Sequence, residues 1–262
     1  MIYILSKCNI NIKLLKFMPN NVEKMSINYS PNFDLVKRSN KNIKYLIFHY
    51  TGMTSDKLAI GKLTNFNSKV SCHYYIDKNG KLIQLVPDLY NAWHAGKSYW
   101  RGDKLLNNSS IGIEISNPGH EHGYKAFNKK QIKCLIKISK ILIKKYKIKK
   151  QNILGHSDIA PLRKKDPGEK FPWKFLADKK IGVWHKLNFR ECNKLRGKKI
   201  NTENKFFFQK LKKFGYFINT SKKNELKKIV NNFQRRFRPE LVDGKIDREC
   251  LEIIKTLISS KK

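Results

Sequence analysis

Short apolar runs of strand length alternate with helix-length amphipathic patterns over residues 44–177, and this alternation limits the possible folds more than any other feature. The runs "KYLIFHY" (44–50) and "SSIGIEIS" (109–116) are typical of buried strands. Between them, "HYYIDKNGKLIQLV" predicts two strands joined at Asn79-Gly80, a strong hairpin signal. The alternation predicts an α/β fold with a mixed central β-sheet flanked by helices.

Two stretches of this region have helical periodicity. A helix is expected near residues 56–65, and a longer one runs from Asn128 to Tyr146, where isoleucine and leucine recur at helical spacing and lysines occupy the other face. Asn128 is a suitable N-cap for the longer helix. A short strand, "NIL", then leads into the loop "GHSDIAPLRKKDPG" (155–168), which has hardly any apolar run to bury.

The end of the sequence has a different pattern. Residues 190–204 are polar and punctuated by glycine, as expected of a linker. Three helical patterns follow, at 205–214, 221–237 and 246–259, and predict a small three-helix C-terminal domain. We therefore divide the chain into an N-terminal arm, a main domain, a linker and a helical C-terminal domain, over residues 1–40, 41–185, 186–204 and 205–262.

The formal net charge of +36 would attract polyanions such as nucleic acid. The lysines that supply most of this charge are spread over nearly every segment, together with abundant Asn and Ile, and are not gathered in one stripe. An AT-rich coding sequence produces such a profile passively, and no motif of a common nucleic-acid-binding fold is present. We therefore expect no specific nucleic-acid partner, with a basic nucleic-acid-binding protein as an alternative.

Cysteine usage and hydropathy argue against three further features. Five cysteines lie far apart without a CxxC pair, which indicates neither a disulfide framework nor a thiolate zinc site. No run of about 18 apolar residues is present, so no transmembrane segment is predicted. The opening "MIYILSKC" is faintly like a lipoprotein signal, but it lacks a basic start and carries Lys7 where a small residue belongs before Cys8. As an export signal it is poor.

His49, His156 and Asp166 form a candidate metal site. Catalytic zinc is held by three protein ligands, often two nitrogens and one oxygen. His49 ends a buried strand, whereas His156 and Asp166 lie on a loop that prolines restrict, so two elements could close on one ion. The alternative is structural: a lone histidine at a strand end is more often hydrogen-bonded than a ligand, and His and Asp at this spacing are no standard signature.

Glu114 and Lys164 are candidates for proton transfer and charge stabilisation. Glu114 lies between Ile113 and Ile115 of a buried strand, where desolvation would raise its pKa toward the range of a general base. Lys164, two residues before Asp166, could place its ammonium beside a developing oxyanion. The alternative for Glu114 is an ion pair with one of the many lysines.

Four further histidines offer rival sites. His73 heads a strand and is interpreted as structural, and His94 lies in "AWHAG". His120 and His122 in "GHEHGY" have a spacing that can chelate metal, but no apolar residues frame them, so a solvated glycine-rich turn is favoured. The residues alone therefore indicate a zinc hydrolase without settling it.

Five motifs occur in the order and spacing of the zinc-dependent N-acetylmuramoyl-L-alanine amidases: "YLIFHYTGM", "VSCHYYIDKNGKLIQLVPD", "AWHAG", "SSIGIEISNPG" and "GHSDIAPLRKKDPG" with the following "FPW". The chain resembles this amidase type 2 family, which shares its fold with peptidoglycan recognition proteins, and its AmiD branch in particular. The resemblance covers about residues 27–185. In addition, "FQRRFRPELVDGKID" (233–247) is similar to the helical peptidoglycan-binding module that follows the catalytic domain in that branch.

The resemblance implies a role for each matching residue. The three candidate ligands would bind one zinc ion per chain, Glu114 would be the catalytic glutamate, and Lys164 would stabilise the transition state. Trp93 and His94 would line the substrate groove. Residues 41–185 would be the zinc amidase catalytic domain, and residues 205–262 a peptidoglycan-binding-like domain.

The implied reaction is hydrolysis of the amide bond between N-acetylmuramic acid and L-alanine in peptidoglycan or muropeptides, in cell-wall degradation or recycling. A non-catalytic peptidoglycan-binding protein is the alternative. Loss of a zinc ligand would indicate it, and no matching position is lost. The resemblance implies the bacterial cell envelope, periplasmic or at the outer membrane, whereas the poor export signal leaves a cytoplasmic location open. Oligomeric state has no signature in the sequence.

Overall fold

A mixed β-sheet forms the centre of the protein in the computed structural model, which describes residues 25–200 and 204–259. These residues contain the strands β1 (Ser26–Ile27), β2 (Phe33–Asp34), β3 (Tyr45–Tyr50), β4 (Tyr74–Ile76), β5 (Leu82–Gln84), β6 (Asn91–Ala92), β7 (Tyr99–Trp100), β8 (Asp103–Lys104), β9 (Ser110–Ile115) and β10 (Ile153–Gly155). The main sheet has the order β1–β5–β4–β9–β3–β10, in which only β4 and β5 pair antiparallel. The predicted mixed sheet and its hairpin are confirmed.

Helices flank this sheet, as predicted. The described residues contain α1 (Asp56–Thr64), α2 (Lys129–Tyr146), α3 (His156–Ile159), α4 (Trp173–Asp178), α5 (Phe189–Leu195), α6 (Asn204–Phe214), α7 (Lys223–Phe237) and α8 (Arg248–Ser259). Asn128 caps α2: its side chain accepts from the Gln131 N–H, and the Gln131 side chain accepts from the Asn128 N–H. This reciprocal pair satisfies two donors at the helix end.

The two faces of the sheet pack against different helices. Leu46 and Phe48 of β3 belong to a buried cluster with the apolar side of α2. Tyr45 and Ile47 point to the opposite face, because side chains alternate along a strand, and they belong to a second cluster. His49 follows them on that same face. The second face of the sheet therefore carries the first candidate ligand.

The C-terminal helices supply much of the second cluster. Phe207 of α6 and Phe233 and Phe237 of α7 are buried in it, in one cluster with Tyr45 and Trp100. The three predicted C-terminal helices are thus confirmed, and they share buried apolar contacts with the sheet. Their assignment as a separate domain stays a prediction.

Several segments have more structure than the sequence suggested. Part of the predicted arm forms β1, which pairs with β5, and β2, which pairs with β6. The predicted linker contains α5, whose start is a capping box formed by Asn188 and Glu191, a pattern that the sequence analysis overlooked. The opening segment with Cys8 lies outside the described residues. No helix in the described ranges is both long and apolar enough to span a bilayer.

Candidate active site

The three candidate metal ligands meet near the carboxyl ends of two neighbouring strands, β3 and β10. The Nδ1 atoms of His49 and His156 are 3.0 Å apart, and each lies 3.2 Å from Oδ2 of Asp166. All three side chains are buried. Among the described residues, they are the one group of three or more His, Cys, Asp or Glu side chains whose ligand atoms converge in this way.

Parallel strands bring these residues together. β3 and β10 are neighbours, so the end of β3 with His49 lies beside the end of β10, where His156 begins α3. The loop then returns, and the Ser157 N–H donates to the Asp166 carbonyl at 2.9 Å. This bond closes the loop and places the Asp166 carboxylate next to the two imidazoles.

A chain of hydrogen bonds fixes the proton position on His49. Its Nε2 lies 3.0 Å from Nδ1 of His94, and Nε2 of His94 lies 3.1 Å from Oγ of Ser110. The Ser110 hydroxyl donates to the Leu106 carbonyl, so its oxygen accepts from His94. Both imidazoles therefore carry their proton on Nε2, which leaves the lone pair on Nδ1 of His49 facing the other ligands.

The second histidine ligand is oriented by the backbone. Nε2 of His156 lies 3.2 Å from the Ala95 carbonyl, which can only accept, so the proton again resides on Nε2 and Nδ1 is free. Gly112 of β9 provides the space for the His94 ring, because a Cβ atom there would overlap that ring. The glycine in "GIEI" is thus required by a close approach of the two segments.

The donor set fits zinc. Four-coordinate zinc with bonds of about 2.0–2.1 Å places its ligand atoms about 3.3 Å apart, close to the separations of 3.0–3.2 Å in this site. Two imidazole nitrogens and one carboxylate oxygen are among the ligands that catalytic zinc uses. The structure therefore contains a site that is able to hold a metal ion of this kind.

Burial and charge set the protonation of the ligands. Burial and the neighbouring His156 lower the pKa of His49 to about 4, although Asp166 opposes this shift. Burial alone would raise the pKa of Asp166, but its bonds to His156 and His49 hold that pKa well below the usual range. At neutral pH, His49 is therefore neutral and Asp166 is charged, which are the forms that bind a metal.

Glu114 lies directly beside the first ligand. In the register of β3 and β9 it is the partner of His49, so both side chains point to the same face. Its Oε2 atom is buried and bonds to none of the described residues. Burial and the charge of Asp166 raise the pKa of Glu114 well above its usual value, while Lys164 and Lys62 oppose the shift. This carboxylate is therefore placed and tuned for proton transfer.

A groove of about 370 Å³ opens over the site. Its lining includes Glu114, Lys164, Trp93 and His94. The Trp93 indole N–H donates to Oδ1 of Asp34 at 2.8 Å, which holds the ring at the groove wall. His94 is buried and uses both ring nitrogens within the protein, so it offers the groove no free polar atom.

The remaining histidines have other roles. His73 is buried, and its Nδ1 accepts from the Gly112 N–H at 3.0 Å, which confirms the structural interpretation. His122 is exposed, as expected for a solvated turn. For His120 that expectation is wrong, because its ring lies between the Tyr50 hydroxyl and the Glu169 carboxylate.

Sequence reasoning missed the supporting residues. Ser110 had no signal of its own, because a serine at the start of a strand is common. Asp158 of "GHSD" is buried and bonds to Arg236 and to the Tyr216 hydroxyl, both from the C-terminal helical region. Asp158 and Arg236 are far apart in the sequence, and no local pattern predicts which arginine pairs with a buried aspartate.

Comparisons with known proteins agree with one another. The model of the N-acetylmuramoyl-L-alanine amidase family matches residues 39–169. The chain is 37% identical to N-acetylmuramoyl-L-alanine amidase AmiD of Escherichia coli over 232 residues, which are 82% of this chain and 82% of that protein. It is 33% identical to 1,6-anhydro-N-acetylmuramyl-L-alanine amidase AmpD of Haemophilus influenzae over 163 residues, 55% of this chain and 85% of that one.

Two solved structures are also similar. The complex of E. coli AmiD with the substrate anhydro-N-acetylmuramic acid-L-Ala-D-gamma-Glu-L-Lys superposes with a TM-score of 0.75 at 34% identity, covering 87% of this chain and 92% of that one. AmpDh3 of Pseudomonas aeruginosa gives a TM-score of 0.75 at 27% identity, covering 93% and 98% of the two chains. The similarity therefore extends beyond the sheet to the C-terminal helices.

Proposed function

Because the chain belongs to the N-acetylmuramoyl-L-alanine amidase family, we propose that His49, His156 and Asp166 hold one zinc ion and that Glu114 and Lys164 act on the substrate beside it. The protein is a hydrolase that cleaves the amide bond between N-acetylmuramic acid and L-alanine in peptidoglycan or muropeptides. One observation carries the proposed site: three ligand atoms converge beside the buried Oε2 atom of Glu114, which bonds to none of the described residues.

The protein ligands prepare the site for the ion. Both imidazoles present an unprotonated Nδ1, and Asp166 supplies a charged oxygen. Zinc, when bound, supplies a Lewis acid that polarises a carbonyl and makes water a better nucleophile at neutral pH. The rigid placement of the ligands reduces the reorganisation that binding requires.

Glu114 is proposed as the general base and acid. It accepts a proton from the water that attacks the amide carbonyl, and it delivers the proton to the nitrogen of the departing L-alanine. Burial raises the pKa of Glu114 above its usual value, and a raised pKa favours both steps, because it lets a carboxylate accept a proton and return it. Its unpartnered Oε2 atom is free to make these contacts.

Lys164 is proposed to stabilise the transition state. It lines the same groove as Glu114, and its positive charge acts on both Glu114 and His49. When water attacks the amide carbonyl, negative charge develops on the carbonyl oxygen, and a fixed ammonium nearby lowers the free energy of that state.

The groove is proposed to hold muropeptides or peptidoglycan. Trp93 offers a fixed ring face for apolar contact with substrate, whereas His94 supports the groove from within. AmiD and AmpDh3 have both been solved with anhydromuramic peptides, which favours such peptides as substrates of this chain. We place the protein in the bacterial cell envelope, and residues 205–262 are proposed to add contacts to peptidoglycan.

Incubation with purified sacculi tests this function directly. We expect mass analysis to detect free stem peptides that begin with L-alanine, and metal analysis of the purified protein to give about one zinc per chain. Sacculi that bind the zinc-loaded protein and release no peptide would instead support the non-catalytic alternative. Steeply salt-dependent binding to random DNA would support the nucleic-acid alternative.

A further inference from the structure

Helix α7 of the C-terminal region lies directly against the loop that carries His156, Lys164 and Asp166. Within the loop, the Ser157 N–H donates to the Asp166 carbonyl at 2.9 Å, and the N–H groups of Arg163 and Lys164 both donate to the Ala160 carbonyl at 3.1 Å. The carbonyls of Pro161 and Lys164 have their side-chain partner on α7. The loop is therefore held between the sheet and this helix.

One side chain binds both carbonyls. Nδ2 of Asn232 donates to the Pro161 carbonyl at 2.8 Å and to the Lys164 carbonyl at 2.9 Å. Its Oδ1 accepts from Nη1 of Arg235 at 2.8 Å. Asn232 is 2% exposed, so water does not compete for these bonds. The amide orientation is fixed, because the reverse orientation would set its oxygen against two carbonyl oxygens.

Two more residues of the same helix face hold the ends of this loop. Arg236 forms a buried ion pair with Asp158 and donates to the Ile153 carbonyl at 3.0 Å. Arg235 lies 3.5 Å from Glu169, which follows the loop. Positions 232, 235 and 236 are three and four residues apart, so they form one face of the helix. A single helical surface therefore contacts the loop at Asp158, Pro161 and Lys164, and the chain on both sides of it at Ile153 and Glu169.

We infer that Asn232 is a positioning residue for the amidase reaction, because it fixes the backbone that presents Lys164 and Asp166. By this inference the C-terminal helices form part of the active site, in addition to any contact with peptidoglycan. The inference rests on the roles proposed above for Lys164 and Asp166. Displacement of a catalytic group by about 1 Å can lower a rate by about a hundredfold. The two hydrogen bonds that hold the loop backbone are therefore expected to have a large effect on turnover.

The test compares two buried amides on α7. Asn232→Ala removes the bonds to the loop. Gln234→Ala is the matched control, because Gln234 is equally buried and its amide bonds to the turn at Asp243–Lys245 and to Cys250 Sγ, away from the loop. Both variants lose buried hydrogen bonds and are expected to have lower melting temperatures.

We expect Asn232→Ala to lower kcat about 10- to 100-fold on soluble muropeptides, with KM changed only a few-fold, whereas Gln234→Ala keeps a near-native kcat. Cobalt-substituted Asn232→Ala is expected to have a changed visible absorption spectrum, because the Asp166 ligand shifts. Asn232→Ser retains one hydrogen-bond donor and should recover part of kcat. If the alanine variant does not fold, the kcat of the serine variant tests the positioning role of Asn232. Equal kcat values for the Asn232 and Gln234 variants would overturn the inference.

Wild-type protein and Lys164→Ala are measured alongside. If the wild type neither holds zinc nor cleaves sacculi, the proposed function itself fails. If the wild type is active and Lys164→Ala is not, but Asn232→Ala keeps the full kcat and an unchanged cobalt spectrum, only the positioning role is wrong.

Discussion

The active site joins two regions that are held in place by different means. His49 and Glu114 lie on adjacent parallel strands whose register is set over six residue pairs by backbone hydrogen bonds. His156, Lys164 and Asp166 lie on a loop that depends on side chains from α7. A local apolar pattern predicts the two strands, whereas the loop is held in part by side chains of a helix that is distant in the sequence. The two regions should therefore respond differently to substitution.

Removal of a metal ligand should have the largest effect, and the loss of zinc and of cleavage should be the same whether the ligand comes from the strand region or from the loop region. We expect His49→Ala on the strand side and Asp166→Ala on the loop side to lose zinc and to lower cleavage to the background rate, because each removes one of three protein ligands. Metal analysis and peptide release from sacculi measure both. His122→Ala, an exposed histidine outside the site, is the control. Native zinc content in either ligand variant would contradict the assignment.

Glu114→Gln should separate catalysis from metal binding on the strand side. The amide keeps the shape of the side chain but cannot accept and return a proton, so we expect a loss in kcat of at least about a hundredfold with zinc retained. Glu121→Gln changes another carboxylate at the groove and should have little effect. A native rate for Glu114→Gln would assign the proton transfer to another group.

Ser110→Ala should weaken zinc binding without touching a ligand. The substitution removes the oxygen that accepts from His94, so His94 no longer holds His49 in the Nε2–H form. Loss of such outer contacts typically lowers metal affinity about 10- to 100-fold. Competition with a chelator measures the zinc affinity. Ser139→Ala, a buried serine of α2 whose hydroxyl bonds to none of the described residues, is the control. Equal zinc affinities in the two variants would show that the hydrogen bonds from Ser110 through His94 to His49 do not affect zinc binding.

The same contrast explains what the sequence could predict. Strand β9 and its carboxylate were identifiable because Glu114 interrupts an apolar run, and α2 was identifiable from its periodicity and its Asn128 cap. The residue types indicated the candidate ligands, and the motif order then led to the family and to a role for each of them. Ser110 and Asn232 were not identifiable, because each acts through hydrogen bonds to residues that are distant in the sequence and that the fold brings near. Their importance depends on tertiary contacts, which leave no periodic or local pattern.

The smallest predicted effect concerns the acid stability that two histidines outside the metal site, His73 and His185, confer on the protein. Burial and the charge of Arg38 lower the pKa of His73 to about 3, and burial lowers the pKa of His185 to about 4. An unfolded histidine has a pKa of about 6.5, so below that pH the unfolded chain binds more protons than the folded chain. The stabilising contribution of each histidine is therefore complete above about pH 6.5 and decreases as the pH falls toward the folded pKa.

We expect His185→Gln to make the zinc-free protein less sensitive to acid than the wild type. Because one proton uptake on unfolding is removed, the drop in melting temperature between pH 7 and pH 5 should be smaller by about 2–4 °C. His73→Gln should act in the same direction, and its effect should continue to a lower pH because the folded pKa of His73 is lower. Calorimetric melting at several pH values measures both. His122→Gln is the control, since His122 is exposed and lies outside the site. A drop as large in the His185 variant as in this control would show that the pKa of His185 is not lowered in the folded protein.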